Sequence, residues 1–173
     1  MDNKVYISDK DIKKAAVKVV NAIEGDNWKP DLIIAVTRGG LIPAGYISYF
    51  LDISNIDIVK LQTYEGEEQD LKKISEQEYQ LQVDIQKIIK KWRPEKILIV
   101  DDLIDSCNTL KTVDTMMLAV QNYFKMTNIK VPVYDWRFAV LYSNENKNLL
   151  NKTAYYGEKK PDGWLVFPWD TRN

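Results

Sequence analysis

Lys96-Ile97-Leu98-Ile99-Val100-Asp101-Asp102-Leu103-Ile104-Asp105-Ser106-Cys107-Asn108-Thr109 is the stretch that decides the fold. Ile97 to Val100 is an unbroken apolar run, rich in β-branched side chains. Such a run predicts a parallel strand buried on both faces. The strand ends in two adjacent carboxylates, Asp101 and Asp102, and a third follows at Asp105. Small hydroxyl and amide residues come next, and helical spacing starts at about Thr109. In an open α/β sheet, ligands bind beyond the carboxyl ends of the strands. A helix starting there turns unpaired N–H groups and a positive dipole end toward an anion. A phosphate cradle with acceptor carboxylates at its mouth suits a sugar phosphate.

Outward from this stretch, the spacing predicts alternating helices and strands. Ser8 is the expected N-cap of a helix, with Asp11 as its capping partner. Ile12, Ala15, Ala16, Val19, Val20 and Ile23 form its apolar stripe, and Gly25 its end. Strands are expected at Asp31 to Val36, Ile56 to Thr63 and Val133 to Tyr142. Helices are expected at Ile42 to Leu51, Leu81 to Trp92 and Thr109 to Tyr123. Thr37 to Leu41 reads as a turn, where Gly39-Gly40 lets the backbone come close to a ligand. Tyr64 to Glu78, polar and acidic, reads as a mobile loop with some helix. The tail from Lys147 holds the Pro161-Asp162-Gly163 turn and an aromatic-rich end. Trp28, Trp92, Trp136 and Trp169 read as packing residues. The alternation argues for one α/β domain with a mainly parallel central sheet flanked by helices.

Composition bounds the chemistry. The 173 residues fit one domain, and the 45% hydrophobic and 28% charged content is that of a soluble globular chain. A net charge of −1 gives no field favouring nucleic acid or an anionic membrane. The single cysteine excludes an intrachain disulfide and fits a cytoplasmic setting. No signal-peptide core opens the sequence, and no apolar run has the length of a membrane span. With no histidine in the chain, His-based triads and HExxH zinc sites are excluded. Acid–base work falls to carboxylates, Lys, Tyr or Cys107. A phosphatase-type thiol loop would need Arg where Val113 stands. A P-loop NTPase is excluded because no G-x-x-x-x-G-K-[ST] is present. Asp101-Asp102-x-x-Asp105 also matches a prenyl-diphosphate synthase motif, but that motif lies on a helix and this one follows a strand.

The central stretch resembles the 5-phosphoribosyl-1-pyrophosphate (PRPP) signature of the type I phosphoribosyltransferases: apolar strand, two acidic residues, two apolar residues, Asp, then a small-residue phosphate loop. Ile33-Ile34-Ala35-Val36-Thr37-Arg38-Gly39-Gly40-Leu41-Ile42-Pro43 resembles the pyrophosphate loop of the xanthine-guanine enzymes. Trp164-Leu165-Val166-Phe167-Pro168-Trp169-Asp170 is similar to their base-binding hood. The three motifs occur in the family's order.

The resemblance implies the type I phosphoribosyltransferase fold over residues 1–173, with a small hood from about 147–173 and the N-terminus. It implies a magnesium-dependent purine salvage enzyme, transferring the 5-phosphoribosyl group from PRPP to xanthine, guanine or hypoxanthine. It also implies a homo-oligomer, dimer or tetramer. Asp101 and Asp102 would accept from the ribose hydroxyls, and Asp102 would reach the magnesium. Asp105, Ser106, Cys107, Asn108 and Thr109 would hold the 5′-phosphate. Thr37, Arg38 and Gly39 would hold pyrophosphate, with an unusual peptide at Arg38–Gly39. Ile104, Trp164 and Leu165 would surround the purine, and Asp105 would take or share its imidazole proton. Without a ligand, Asp105 reads as a helix cap, Gly39-Gly40 as a plain turn, and Trp164 as core.

Two positions depart from the family pattern. Cys107 stands where the phosphate loop has Gly. Ser143, followed by Asn144, stands where the purine enzymes have the Lys that contacts the exocyclic oxygen, and Lys147 is the candidate replacement. These departures leave an alternative on the same fold: a PRPP- or nucleotide-binding regulatory protein, or a transferase for another base.

Overall fold

The computed structural model describes residues 3–61, 71–105, 108–144 and 152–170. In chain order the elements are β1 (Lys4–Tyr6), α1 (Asp9–Gly25), β2 (Leu32–Thr37), α2 (Leu41–Leu51), β3 (Ile56–Lys60) and α3 (Leu71–Trp92). They continue with β4 (Lys96–Ile104), α4 (Asn108–Met126), β5 (Asp135–Ser143), β6 (Ala154–Lys159) and β7 (Trp164–Val166). Five strands form a parallel sheet in the order β3-β2-β4-β5-β6. This is the expected type I phosphoribosyltransferase architecture, with β4 at its centre. β1 and β7 pair in parallel as a separate two-stranded sheet.

The apolar run of β4 is buried on both sides because each side has its own core. Leu98 and Val100 pack with α1 and α2, beside Ile33, Ala35, Ala139 and Leu141. Ile97 and Ile99 pack with α3 and α4, beside Leu32, Ile34, Phe138 and Val140. Each such side chain removed from water contributes about 1.5–3 kcal/mol. Alternate side chains of β4 thus tie both helical layers to one strand.

Local signals explain the helix ends. Ser8 caps α1 in a reciprocal box: its hydroxyl accepts from the Asp11 N–H, and the Asp11 carboxylate accepts from the Ser8 N–H. Gly25 is the last helical residue, and Asp26 takes the C-cap. Trp136 is buried and donates to Asp114 at 2.8 Å, while Trp92 donates to Asp57 at 2.8 Å. Trp28 is buried under the Arg137 guanidinium, 4.7 Å from the ring centre.

Three expectations about elements change. The helix expected within the Tyr64 to Glu78 stretch covers Leu71 to Glu78 and is continuous with the next one, so α3 starts ten residues earlier than Leu81. Lys, Ser, Glu and Gln there have adequate helix propensity even without an apolar stripe. The rest of the expected loop, 64–70, lies outside the described residues. The strand expected to reach Thr63 ends at Lys60. The tail, read only as a turn and an aromatic end, contains β6 and β7.

β6 is pressed against α1. A Cβ added to Gly157 would lie 2.7 Å from the Ala15 carbonyl carbon and overlap its oxygen. Gly157→Ala is therefore expected to lower unfolding free energy by about 1–3 kcal/mol, the usual cost of overpacking. Gly25→Ala, with nothing within 4 Å of the new methyl, is expected to be neutral or stabilising. Urea denaturation of both variants checks the contrast.

Candidate active site

The carboxyl ends of β2 and β4 meet the segment Lys160 to Leu165 around one cleft of about 340 Å³. Thr37, Arg38 and Gly39 enter from the turn after β2. Asp101, Asp102, Ile104 and Asp105 enter from the end of β4, and Thr109 from the first turn of α4. Trp164 and Leu165 enter from β7. The structure thus gathers ten expected site residues from three separate stretches of chain. Asn108 is exposed at the first position of α4. Ser106, Cys107 and Lys147 lie outside the described residues.

Backbone approach sets the geometry. A Cβ on Gly40 would overlap the Val100 carbonyl oxygen, so the turn after β2 lies directly against β4. A Cβ on Gly39 would sit 2.5–2.6 Å from the Asp102 carboxylate atoms. Glycine here places the turn's backbone against the acidic pair. The Thr37–Arg38 peptide is cis, one residue before the position implied by the resemblance.

The acidic pair sits in an environment that opposes charge. Asp101 is buried, and burial first, then the charge of Asp102, raises its pKa well above the ordinary carboxylate range. Asp102 is pushed up to about 6 by burial, then by the nearby charge of Asp170. The Trp169 side chain partly offsets this with a hydrogen bond to Asp102. Trp169 is itself fixed by stacking on Phe167, with ring centres 4.8 Å apart and 4° between planes. Asp170 is held by the Phe167 N–H, which donates to its carboxylate at 3.0 Å. So Trp169, read as packing, also touches the site, and Asp170 is a site residue the sequence reading missed.

The aromatic side is open. Trp164 is 60% exposed, which rules out the core-packing reading and leaves a bare ring at the cleft wall. Gly163, at φ +118°, turns the chain into β7, and the Trp164 N–H donates to the Asn3 carbonyl at 2.9 Å. The N-terminal strand thereby braces the tryptophan.

One cation was missed. Lys160 lines the cleft, and its ammonium lies 3.5 Å from an Asp105 carboxylate oxygen. Its only sequence signal was the Lys159-Lys160 pair in a tail with no legible element.

The raised pKa of Asp102 has a stability consequence. The folded chain holds this proton more tightly than the unfolded chain, whose carboxyl titrates near ~3.9. The associated stabilisation is present at low pH and is lost as pH rises from about 4 to about 6. Asp102→Asn is therefore expected to be more stable than the parent by about 1–3 kcal/mol at neutral pH without ligands. The difference should vanish below about pH 4, and paired thermal melts across pH read it directly.

Comparison with known proteins agrees with this geometry. The phosphoribosyl transferase domain family matches residues 5–172. The xanthine-guanine phosphoribosyltransferase of Cereibacter sphaeroides is 31% identical over 146 residues, covering 84% of this chain and 72% of that protein. The enzyme of the same name from Nitratidesulfovibrio vulgaris is 29% identical over 141 residues, covering 80% and 68%. The crystal structure of a purine phosphoribosyltransferase from Pyrococcus horikoshii superposes with a TM-score of 0.64 at 23% identity, covering 100% of this chain and 97% of that one. The chain that builds this cleft belongs to the phosphoribosyltransferase family, and its fold is the type I fold.

Proposed function

We propose that this protein is a purine salvage enzyme, transferring the 5-phosphoribosyl group of PRPP to a 6-oxopurine. Nucleoside monophosphate and pyrophosphate are the products. The observation that carries the reading is the cleft itself: buried Asp101 and half-buried Asp102 face a glycine turn with Arg38, and a bare tryptophan stands at its wall.

In this reading the base attacks the anomeric carbon of the ribose. The bond to pyrophosphate breaks, its electron pair leaves with pyrophosphate, and the imidazole proton of the base passes to Asp105. Positive charge develops on the ribose ring, so fixed electrostatics carry most of the catalysis. Asp101 and Asp102 accept hydrogen bonds from the ribose hydroxyls. Thr109, with Ser106, Cys107 and Asn108 before it, takes the 5′-phosphate at the start of α4. Thr37, Arg38 and Gly39 take the pyrophosphate. Trp164 stacks on the purine, worth roughly 1–3 kcal/mol per base. Ile104 and the Leu165 backbone border the ring.

Magnesium fits the same residues. The repulsion at Asp101, Asp102 and Asp170 is what a hard cation relieves. Magnesium is typically held by one or two carboxylates together with substrate phosphates. Asp102 is the proposed protein ligand, and the ion would neutralise the leaving pyrophosphate.

A homodimer completes the proposal. The outer face of α2 exposes Leu41, Ile42, Phe50 and Tyr49, the last 89% exposed. Beside it β3 is an edge strand with Ile56 and Ile58 outward. Exposed apolar side chains on α2 and on an edge strand suit a second copy of the chain. Tyr49→Lys combined with Ile58→Lys is expected to shift the sedimenting species from dimer to monomer.

The deciding assay offers xanthine, guanine, hypoxanthine and adenine to purified protein with PRPP and magnesium. Absorbance changes are expected with 6-oxopurines. Asp105→Asn is expected to lose turnover by about 10²–10⁴-fold while keeping its PRPP affinity. Protein that binds PRPP yet makes nucleotide from none of these bases would overturn the enzyme reading. A regulatory nucleotide binder, which the Cys107 and Ser143 departures also suit, would then take its place.

A further inference from the structure

We propose that Trp169 is a positioning residue for the ribose of PRPP, its indole N–H holding the Asp102 carboxylate with its acceptor edge turned to the ribose hydroxyls. This rests on the reading above in which Asp102 meets those hydroxyls, and adds the residue that orients it.

Two surfaces confine the Asp102 carboxylate. The first is the turn after β2. A Cβ built on Gly39 would lie almost equally far from the carboxylate carbon and its two oxygens, at 2.5, 2.5 and 2.6 Å. A point in the plane of the group, beyond the oxygens, would lie nearer to them than to the carbon. Equal distances put the turn over the flat face of the carboxylate. Donors approach carboxyl oxygens near that plane, so the turn leaves the in-plane lone pairs open. The second surface is Trp169, whose side chain hydrogen-bonds to the same carboxylate. An indole nitrogen is a donor only, so the carboxylate accepts. The lone pairs that remain serve the cleft that Asp102 lines.

Trp169 is placed for this by its own turn. The Asp170 N–H donates to the Phe167 carbonyl at 2.9 Å, and the Phe167 N–H donates to the Asp170 carboxylate at 3.0 Å. These bonds close a β-turn with Pro168 and Trp169 at its centre, and proline suits the first central position. The indole stacks on Phe167, ring centres 4.8 Å apart. Phe167 is buried and packs on Tyr142 of β5, with ring centres 6.0 Å apart. Two rings thus tie the indole to the sheet. Trp169 is only half-buried, so packing accounts for the stack and not for the direction of the N–H, which meets Asp102.

A carboxylate left unheld at a strand end samples several rotamers. Holding it in one orientation removes that freedom before the substrate arrives, which is how preorganisation raises affinity.

Trp169→Phe keeps a ring on Phe167 and removes the N–H. The test compares this variant with the parent in binding guanosine and inosine monophosphate, each beside its 2′,3′-dideoxy form, by calorimetry without divalent cations. Only the ribose hydroxyls differ within each pair. Affinity for the ribonucleotides is expected to fall by roughly ten- to hundredfold, the range for a hydrogen bond to a charged group. Affinity for the dideoxy forms should stay near the parent's, and PRPP affinity should fall with that of the ribonucleotides. In an Asp102→Ala background, Trp169→Phe should cost nothing further, since the pair acts as one unit. An equal loss for ribonucleotide and dideoxy forms is what a merely structural change would produce, and it would overturn the role of Trp169. Unchanged affinity, or a full further loss in the Asp102→Ala background, would do the same. Each of these leaves the transferase reading standing. A hydroxyl-dependent loss in a protein that converts none of the bases would uphold the role of Trp169 and overturn only the transferase reading. A parent that binds neither these nucleotides nor PRPP would overturn both.

Discussion

The structure depends on one close approach, that of the turn after β2 to the end of β4. Gly40 lies so near the Val100 carbonyl that no side chain fits, and Gly39 lies against the Asp102 carboxylate. This contact sets where a ligand cradled by the turn would stand relative to the acidic pair. It is made possible by the register of β2 on β4, Leu32 to Ala35 against Ile97 to Val100. That register is held by two cores, one on each face. A slip of one residue would exchange the two sets of apolar side chains and move the carboxylates off the turn.

The same contact explains why the site is costly to the folded chain. Burial and neighbouring carboxylates raise the pKa of Asp101 and Asp102, so their surroundings disfavour the charged form. Carboxylates retained under such a penalty are typical of sites whose partners are ligands. Trp169 and Phe167 hold the arrangement rigid from the C-terminal side, by stacking and by the hydrogen bond to Asp102.

The central strand, the capped first helix and the two glycines were legible in the sequence because each has a local cause. The apolar run of β4, the Ser8–Asp11 box and the Gly39-Gly40 step need no distant partner to be recognised. The elements that were not legible lack such a cause. β6, Ala-Tyr-Tyr-Gly-Glu-Lys, has little alternation, and its strand character comes from pairing with β5. β1 and β7 are three residues each and exist because they pair with one another. The opening turns of α3 carry few apolar residues and read as loop. Trp164 shows the opposite case. The motif marked it as a candidate, but only the fold shows that it stands exposed at the cleft.

Lys160 was hidden for the same reason as β6. A lysine pair in an unassigned tail reads as solvated charge, and its burial follows only when β6 is added as the edge of the sheet. Parallel pairing makes the ends of neighbouring strands adjacent in space, so a charge required at one corner has several addresses in the sequence. The end of β5 and the end of β6 are two such addresses, joined by the hydrogen bond from Lys160 to Ser143. Lys160 stands at that corner, its ammonium 3.5 Å from an Asp105 carboxylate oxygen.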